Sequence, residues 1–300
     1  MAKIKPNESC PCGSGKKYKK CHSGKDMPRL HPIEVPEGFD LKKLQAVHVD
    51  PDNKLNLLFT NDILVNQLTR DTAAIEASFD SFAETDLKAS SVVFSEACGI
   101  IFPQLIKRRN GTAGPQATCA RLLNYAVESY VASLHLARGG YRRQYGAIVR
   151  NIIETLAVVL QIHWKPDEYL PAFNNDKLDS PKAINFAKKI LPPFGPLYGH
   201  LCDFVHVGYM QNQISRLIKY DKEEDSLKYI LSTMRVHSWL IYVVAEIVFY
   251  SSVTNPKYWK KVAEHKEGME FSYDPSKETI EWLNQYFGAA MDIVGAKKEN

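Results

Sequence analysis

Cys10, Cys12, Cys21 and His22 place four soft or borderline metal ligands within thirteen residues. A Cys3His set is what tetrahedral Zn²⁺ prefers, at about 2.3 Å to sulfur and about 2.0 Å to nitrogen. Cys10-Pro11-Cys12 sets two thiolates on one tight turn, and Cys21-His22 closes the site after a loop of eight residues. Gly13 and Gly15 let that loop turn sharply, while Ser14 and nearby backbone N–H groups are natural donors to the sulfurs. Disulfide pairing suits these thiols poorly, because the two cysteines of a Cys-x-Cys pair badly with each other. The segment is short and polar, so its folding free energy would come from metal ligation. A single Zn²⁺ held by four protein ligands has no open position for water and is therefore structural.

Two further constellations lie in the body of the chain. Projected at 100° per residue, a helix from Tyr141 gathers Tyr145, Ile148, Ile152, Leu156, Val159 and His163 on one face. Arg143, Arg150, Glu154 and Gln161 fall opposite, within about 40° of each other. That narrow stripe could line a cleft taking a phosphate or carboxylate. It could equally be the solvated edge of a core helix, with Arg150 and Glu154 as an i,i+4 ion pair. His200, Asp203 and His206 stand at i, i+3 and i+6, a spacing that could hold a metal or orient an imidazole, although a hydrogen-bonded core histidine uses the same positions. No Glu-x-x-His completes a di-metal centre, and no Gly-x-Ser-x-Gly, Gly-x-Gly-x-x-Gly, Gly-x4-Gly-Lys-Ser/Thr or His-Glu-x-x-His is present. Tyr125, Tyr130, Trp164, Trp239, Trp259 and Trp282 sit at helical spacing among apolar neighbours, as core or interface material before a stacking platform.

The elements that must position these groups read as helices. Residues 26–54, with Pro28, Pro32, Pro36, Gly38 and Pro51, read as a linker or arm. Helical period then predicts Leu55–Ala83, burying Leu57, Leu58, Ile63, Leu64, Leu68 and Ile75, and Ser90–Arg109, bent at Pro103. Pro115 opens a helix reaching Arg138, which Gly139-Gly140 ends, and Tyr141–His163 comes next. Ser180-Pro181, Asn255-Pro256 and Asp274-Pro275 read as N-caps opening helices near 181–191, 256–266 and 275–294. A short helix near 196–207 and a long buried one over Glu224–Ser252 lie between. The expected architecture is an all-α multi-helix bundle (55–295) behind a small N-terminal zinc knuckle (1–25).

The run from Asn7-Glu8 through Cys-Pro-Cys-Gly-Ser-Gly-Lys-Lys-Tyr-Lys-Lys-Cys-His resembles the SEC-C motif, the small zinc-binding domain at the C-terminus of the SecA translocation ATPase, also found on many unrelated bacterial proteins. It differs in standing near the N-terminus and in Ser23, where a glycine is common. The resemblance implies an export chaperone such as SecB, or the ribosome, as partner. More loosely, residues 60–255 resemble bacterial helical domains found beside SEC-C motifs, which bring no activity with them. These share features with the HEPN class of helical RNases, but its Arg-x4–6-His motif is absent here.

Charge points the same way as the motif. Net charge is only +4, yet residues 1–25 carry seven lysines against Glu8 alone. A lysine-dense knuckle suits an acidic protein face, ribosomal RNA or another polyanion, with Lys16, Lys17, Tyr18, Lys19 and Lys20 as the contact set. The start Met1-Ala2-Lys3-Ile4-Lys5 has no apolar leader. The longest apolar stretch, Trp239–Tyr250, contains Glu246 and reads as a buried helix, not a membrane span. Cys98, Cys119 and Cys202 stand alone, which suits a reducing cytosol. The expected function is a cytoplasmic zinc-binding adaptor whose helical body adds a second binding or oligomer surface. The alternative is a nucleic-acid-directed stress or defence effector using Arg143, Arg150, Glu154 and His206.

Overall fold

The structure, a computed structural model, describes residues 5–10, 15–21, 37–50, 55–108, 113–205, 219–222, 225–266 and 269–287. The chain divides into two compact units, Met1–Asn66 and Gln67–Asn300.

In the first unit, Ser9 and Lys17 form an isolated antiparallel bridge, and the short helix α1 (Tyr18–Cys21) comes directly after it. The stretch expected to be arm and helix start is instead a β-hairpin: β1 (Leu44–Asp50) pairs antiparallel with β2 (Leu55–Thr60). Asp40 opens it by accepting a hydrogen bond from the Lys42 amide at 3.0 Å. Asp62 closes it, accepting from the Thr60 hydroxyl, from Asn66 Nδ2 at 3.0 Å, and pairing with Lys43 at 3.4 Å. Helix begins only at α2 (Ile63–Asn66). Leu57, Ile63, Leu64 and Leu68, expected to be buried, are exposed; Ile75 is buried as expected.

The described residues of the second unit are helical but for connecting turns and one further hairpin. After a π-helical turn at Gln67–Asp71, helix α3 (Thr72–Lys107) runs unbroken through the two separate helices expected here, with Pro103 inside it. Helix α4 (Pro115–Arg138) has the predicted bounds. Gly140 ends it at φ +79°, while the Tyr141 amide donates to the Leu136 carbonyl at 2.8 Å and the Gly140 amide to Ala137 at 2.9 Å. This paired closure requires the left-handed residue that glycine adopts without a Cβ penalty.

Helices α5 (Arg142–Trp164), α7 (Ser180–Ile190) and α8 (Phe194–Val205) come next, with a short α6 (Pro166–Asn174) between α5 and α7 that the sequence pattern did not announce. The N-cap of α7 is Asp179, whose side chain accepts from the Lys182 amide at 3.0 Å, one residue before the expected Ser180.

Helix α9 (Asp225–Val248) is the centre of the core. From Thr233 to Val248 every residue but Arg235 is buried, as expected of a helix apolar on all sides. Around it pack α3, α4 and α5. The helix expected over 256–266 is strand: β3 (Trp259–Lys266) pairs antiparallel with β4 (Met269–Tyr273). Helix α10 (Lys277–Phe287) then starts at Ser276, whose Oγ accepts from the Thr279 amide at 3.2 Å.

Glu246 explains where β3 goes. Fully buried on α9, its carboxylate accepts the amide hydrogens of Lys257 at 3.0 Å, Tyr258 at 2.8 Å and Trp259 at 3.2 Å. The Trp259 indole adds a hydrogen bond to the Val243 carbonyl at 2.9 Å. A buried charge is tolerable only with such donors, and these amides lead directly into the strand.

Three helices are long and apolar enough, by length and composition, to cross a membrane: Ile63–Lys107, Arg142–Trp164 and Leu227–Val248. The fold itself covers 61% and 83% of the apolar windows in the last two, and 22% in the first. The reading of Trp239–Tyr250 as part of a long buried helix therefore holds, and that helix ends four residues before the expected Ser252.

Candidate functional site

Among its described residues the knuckle is assembled by backbone hydrogen bonds. The Cys10 amide donates to the Lys16 carbonyl at 2.9 Å, the Tyr18 amide to Glu8 at 2.8 Å and the Lys19 amide to Pro6 at 3.0 Å. Glu8 turns back on this loop, its carboxylate accepting from the Lys5 amide at 3.1 Å. Gly15 holds φ at +68°, a left-handed position in which a Cβ would be strained.

These bonds bring the stretches around Ser9 and Lys17 together at a single antiparallel bridge, and Cys21 ends the helical turn directly after it. Cys10 is only 4% exposed, although every other described residue of the segment is exposed or half-buried. A thiol enclosed in a segment whose other described residues are open to solvent fits a metal ligand of the kind the SEC-C spacing suggests. Lys16, Lys17, Lys19 and Lys20 are exposed and Tyr18 between them is half-buried. Cys12 and His22 lie outside the described residues. Among the described residues no group of three or more His, Cys, Asp or Glu side chains comes together as a metal site.

The stripe on α5 closes on itself. Arg150 Nε donates to Glu154 Oε1 at 3.0 Å and its Nη2 to the Tyr198 hydroxyl at 2.9 Å. Tyr198 in turn donates to Glu154 at 3.2 Å, with the guanidinium 5.1 Å from the centre of its ring. Burial works against the arginine's charge, but the bonds to Glu154 and Tyr198 outweigh it and raise the pKa further. Tyr198, from α8, is the partner that sequence reasoning missed; only its spacing on the apolar side of that helix hinted at it. Arg143 is half-buried, and Gln161, expected on the polar side, is buried. His200 and Asp203 lie on α8, while His206 lies outside the described residues.

Residues 7–24 match the SEC-C motif model. A 28-residue stretch, 9% of this chain, is 68% identical to Protein translocase subunit SecA of Rubrobacter xylanophilus, and it spans 3% of that protein's length. No solved structure matches the chain. SEC-C motifs are in general a zinc-binding type of domain, and the donor set here has that type. The chain thus carries a SEC-C motif at residues 7–24, joined to an all-α body.

Proposed function

We propose that this chain is a cytoplasmic zinc-binding adaptor. Cys10, Cys12, Cys21 and His22 hold one structural Zn²⁺, and the folded knuckle offers Lys16, Lys17, Lys19 and Lys20 to an acidic partner. That partner is a protein face such as an export chaperone, or the ribosome, and the helical body supplies a second contact surface. The observation carrying this reading is the enclosed Cys10 within a SEC-C motif whose lysines all face outward. Four protein ligands leave the metal no catalytic position, so no chemistry is assigned to it.

The effector reading draws less support. Arg150 is neutralised in place by Glu154 and held by Tyr198, which suits a packing role more than a phosphate contact.

The test is capture of partners from bacterial lysate by three baits: the intact chain, a Cys10→Ser/Cys12→Ser variant, and a variant with Lys16, Lys17, Lys19 and Lys20 all changed to Glu. Bound protein and RNA are both identified. Loss of the same partner in both variants, with zinc content lost only in the first, supports the adaptor. Identical partners from all three baits would sink it.

A further inference from the structure

We infer that the outer side of the second half of α3 is where two copies of this chain pair, antiparallel about Gly99. This gives the second contact surface of the adaptor reading a place and an occupant, but it stands on α3 alone and not on the knuckle.

The inner side of α3 packs on α4 and α9. Its outer side changes character along its length. Ser81, Glu84, Thr85 and Lys88 are exposed and polar, with Lys88 and Glu84 paired at 2.6 Å. One turn on, the same side carries Val92, Phe102 and Ile106, which are 62%, 43% and 73% exposed. With exposed Ser95 and Gly99 between them, the positions step by three and four residues, the spacing of a helix-pairing seam. At 100° per residue, all of them lie within about 60° of Gly99. A side that met only water would have no reason to turn from charged to apolar.

Gly99 says how close the neighbour comes. It stands in the interior of a 36-residue helix, where glycine is weaker than alanine. Among the described residues nothing crowds it: a Cβ built there meets open space. A glycine four residues from a serine, at the centre of an apolar side, lets a second helix backbone approach closely.

The seam is complementary to itself. An antiparallel pair crossing at Gly99 sets Val92 of each copy against Ile106 of the other, and Ser95 against Pro103. Phe102 leans toward its own N-terminus, over the small Ser95 of the second copy. Charge agrees with this register. Lys107 is exposed at the end of α3, and Glu96 is exposed on the same flank, where it holds Lys257 at 2.8 Å. Both side chains lean toward their own N-termini, so in the antiparallel pair Lys107 of each copy reaches toward Glu96 of the other. A parallel pair would instead set Lys88 on Lys88 and Lys107 on Lys107. Such a contact of one patch with itself closes at two copies. A lipid surface fits this side less well, because Ser95, Glu96 and Gly99 interrupt its apolar character at the middle.

Sedimentation equilibrium of the full chain tests the pairing. A dimer is expected with a Kd on the order of 10 µM, as suits a small interface. Ile106→Glu and Gly99→Leu are each expected to weaken it at least about tenfold, with melting unchanged because both positions are exposed. Under mild oxidation Gly99→Cys is expected to form an interchain disulfide beyond any made by the intact chain. Val92→Cys is expected to form one only with Ile106→Cys on a second chain, and its linking to itself would overturn the antiparallel pair. A chain still monomeric at about 100 µM overturns the proposal, as does a dimer indifferent to Ile106→Glu. A monomer that binds phosphatidylcholine vesicles through Ile106 is the lipid outcome and overturns it as well. The Cys10→Ser/Cys12→Ser variant is expected to pair like the intact chain. Pairing lost there and kept in Ile106→Glu would place the contact in the knuckle and overturn it too.

Discussion

Cys10 is enclosed within a segment whose other described residues are all open to solvent to some degree. Metal ligation accounts for that enclosure in the proposed reading, and Cys10→Ser removes one of four bonds from a site with no core to fall back on. Metal analysis of the purified chain is expected to give about one zinc per chain for the intact protein and well under half that for the variant. His237 poses the opposite case, a polar group at 0% exposure deep in α9. Burial lowers its pKa to about 4, against a smaller opposing contribution from the Thr233 carbonyl it touches. The unfolded chain therefore binds a proton near pH 6.5 that the folded chain refuses until about pH 4. Stability from this residue is fully present above pH 6.5 and is lost as pH falls through that window, by about 3 kcal/mol at pH 4. Melting temperature measured from pH 7 to pH 4 is expected to fall, and His237→Gln is expected to flatten that slope.

Elements show which signals in a chain can be trusted. Helix α4 was legible to the residue because Pro115 and Gly139-Gly140 act through backbone geometry that nothing distant overrides. Gly140→Ala is expected to cost about 1 kcal/mol, read as a lowered urea midpoint, because the new Cβ must sit at φ +79°. Asn255-Pro256 looked like the same kind of punctuation and misled. The chain beyond it runs as strand because the amides of Lys257, Tyr258 and Trp259 are claimed by Glu246, eleven to thirteen residues earlier, a contact that no local pattern encodes. Glu246→Ala leaves those donors without an acceptor and is expected to cost about 3–5 kcal/mol. Loss of amide-exchange protection should concentrate in β3 and β4. The first hairpin had a readable sign in Pro51-Asp52-Asn53 between runs carrying Val47, Val49 and Phe59, but the helical period of Leu57, Leu58, Leu64 and Leu68 competes with it. Burial would have settled the choice, and three of those four side chains are exposed.

At the scale of the molecule, the four residues of the candidate metal site could be named from their spacing, whereas a cleft in the body lined by Ser90, Trp239 and Trp282 could not. Four ligands within thirteen residues carry their own geometry, whereas Ser90, Trp239 and Trp282 meet only through the fold. In the proposed reading the metal lies in the first of the chain's two compact units and the helical core in the second. The body draws its stability from α9 and its neighbours, so a chelator is expected to strip zinc while the main calorimetric transition stays within about 2 °C. Partner capture through the lysines should decline steeply between 50 mM and 200 mM salt, as contacts to a polyanion do.

All four tryptophans of the chain belong to one set of touching rings. Trp164 meets Trp259, Trp259 meets Tyr273, and Tyr273 meets Trp239, which meets Trp282. Indole emission from this protein is therefore a collective signal, with excitation passing among neighbours 5.7 to 6.5 Å apart. It reports whether the C-terminal hairpin and last described helix are seated on the core. The first 163 residues contain no tryptophan, so a spectroscopist watching indole fluorescence has no emitter within the SEC-C motif and must follow that motif by other means.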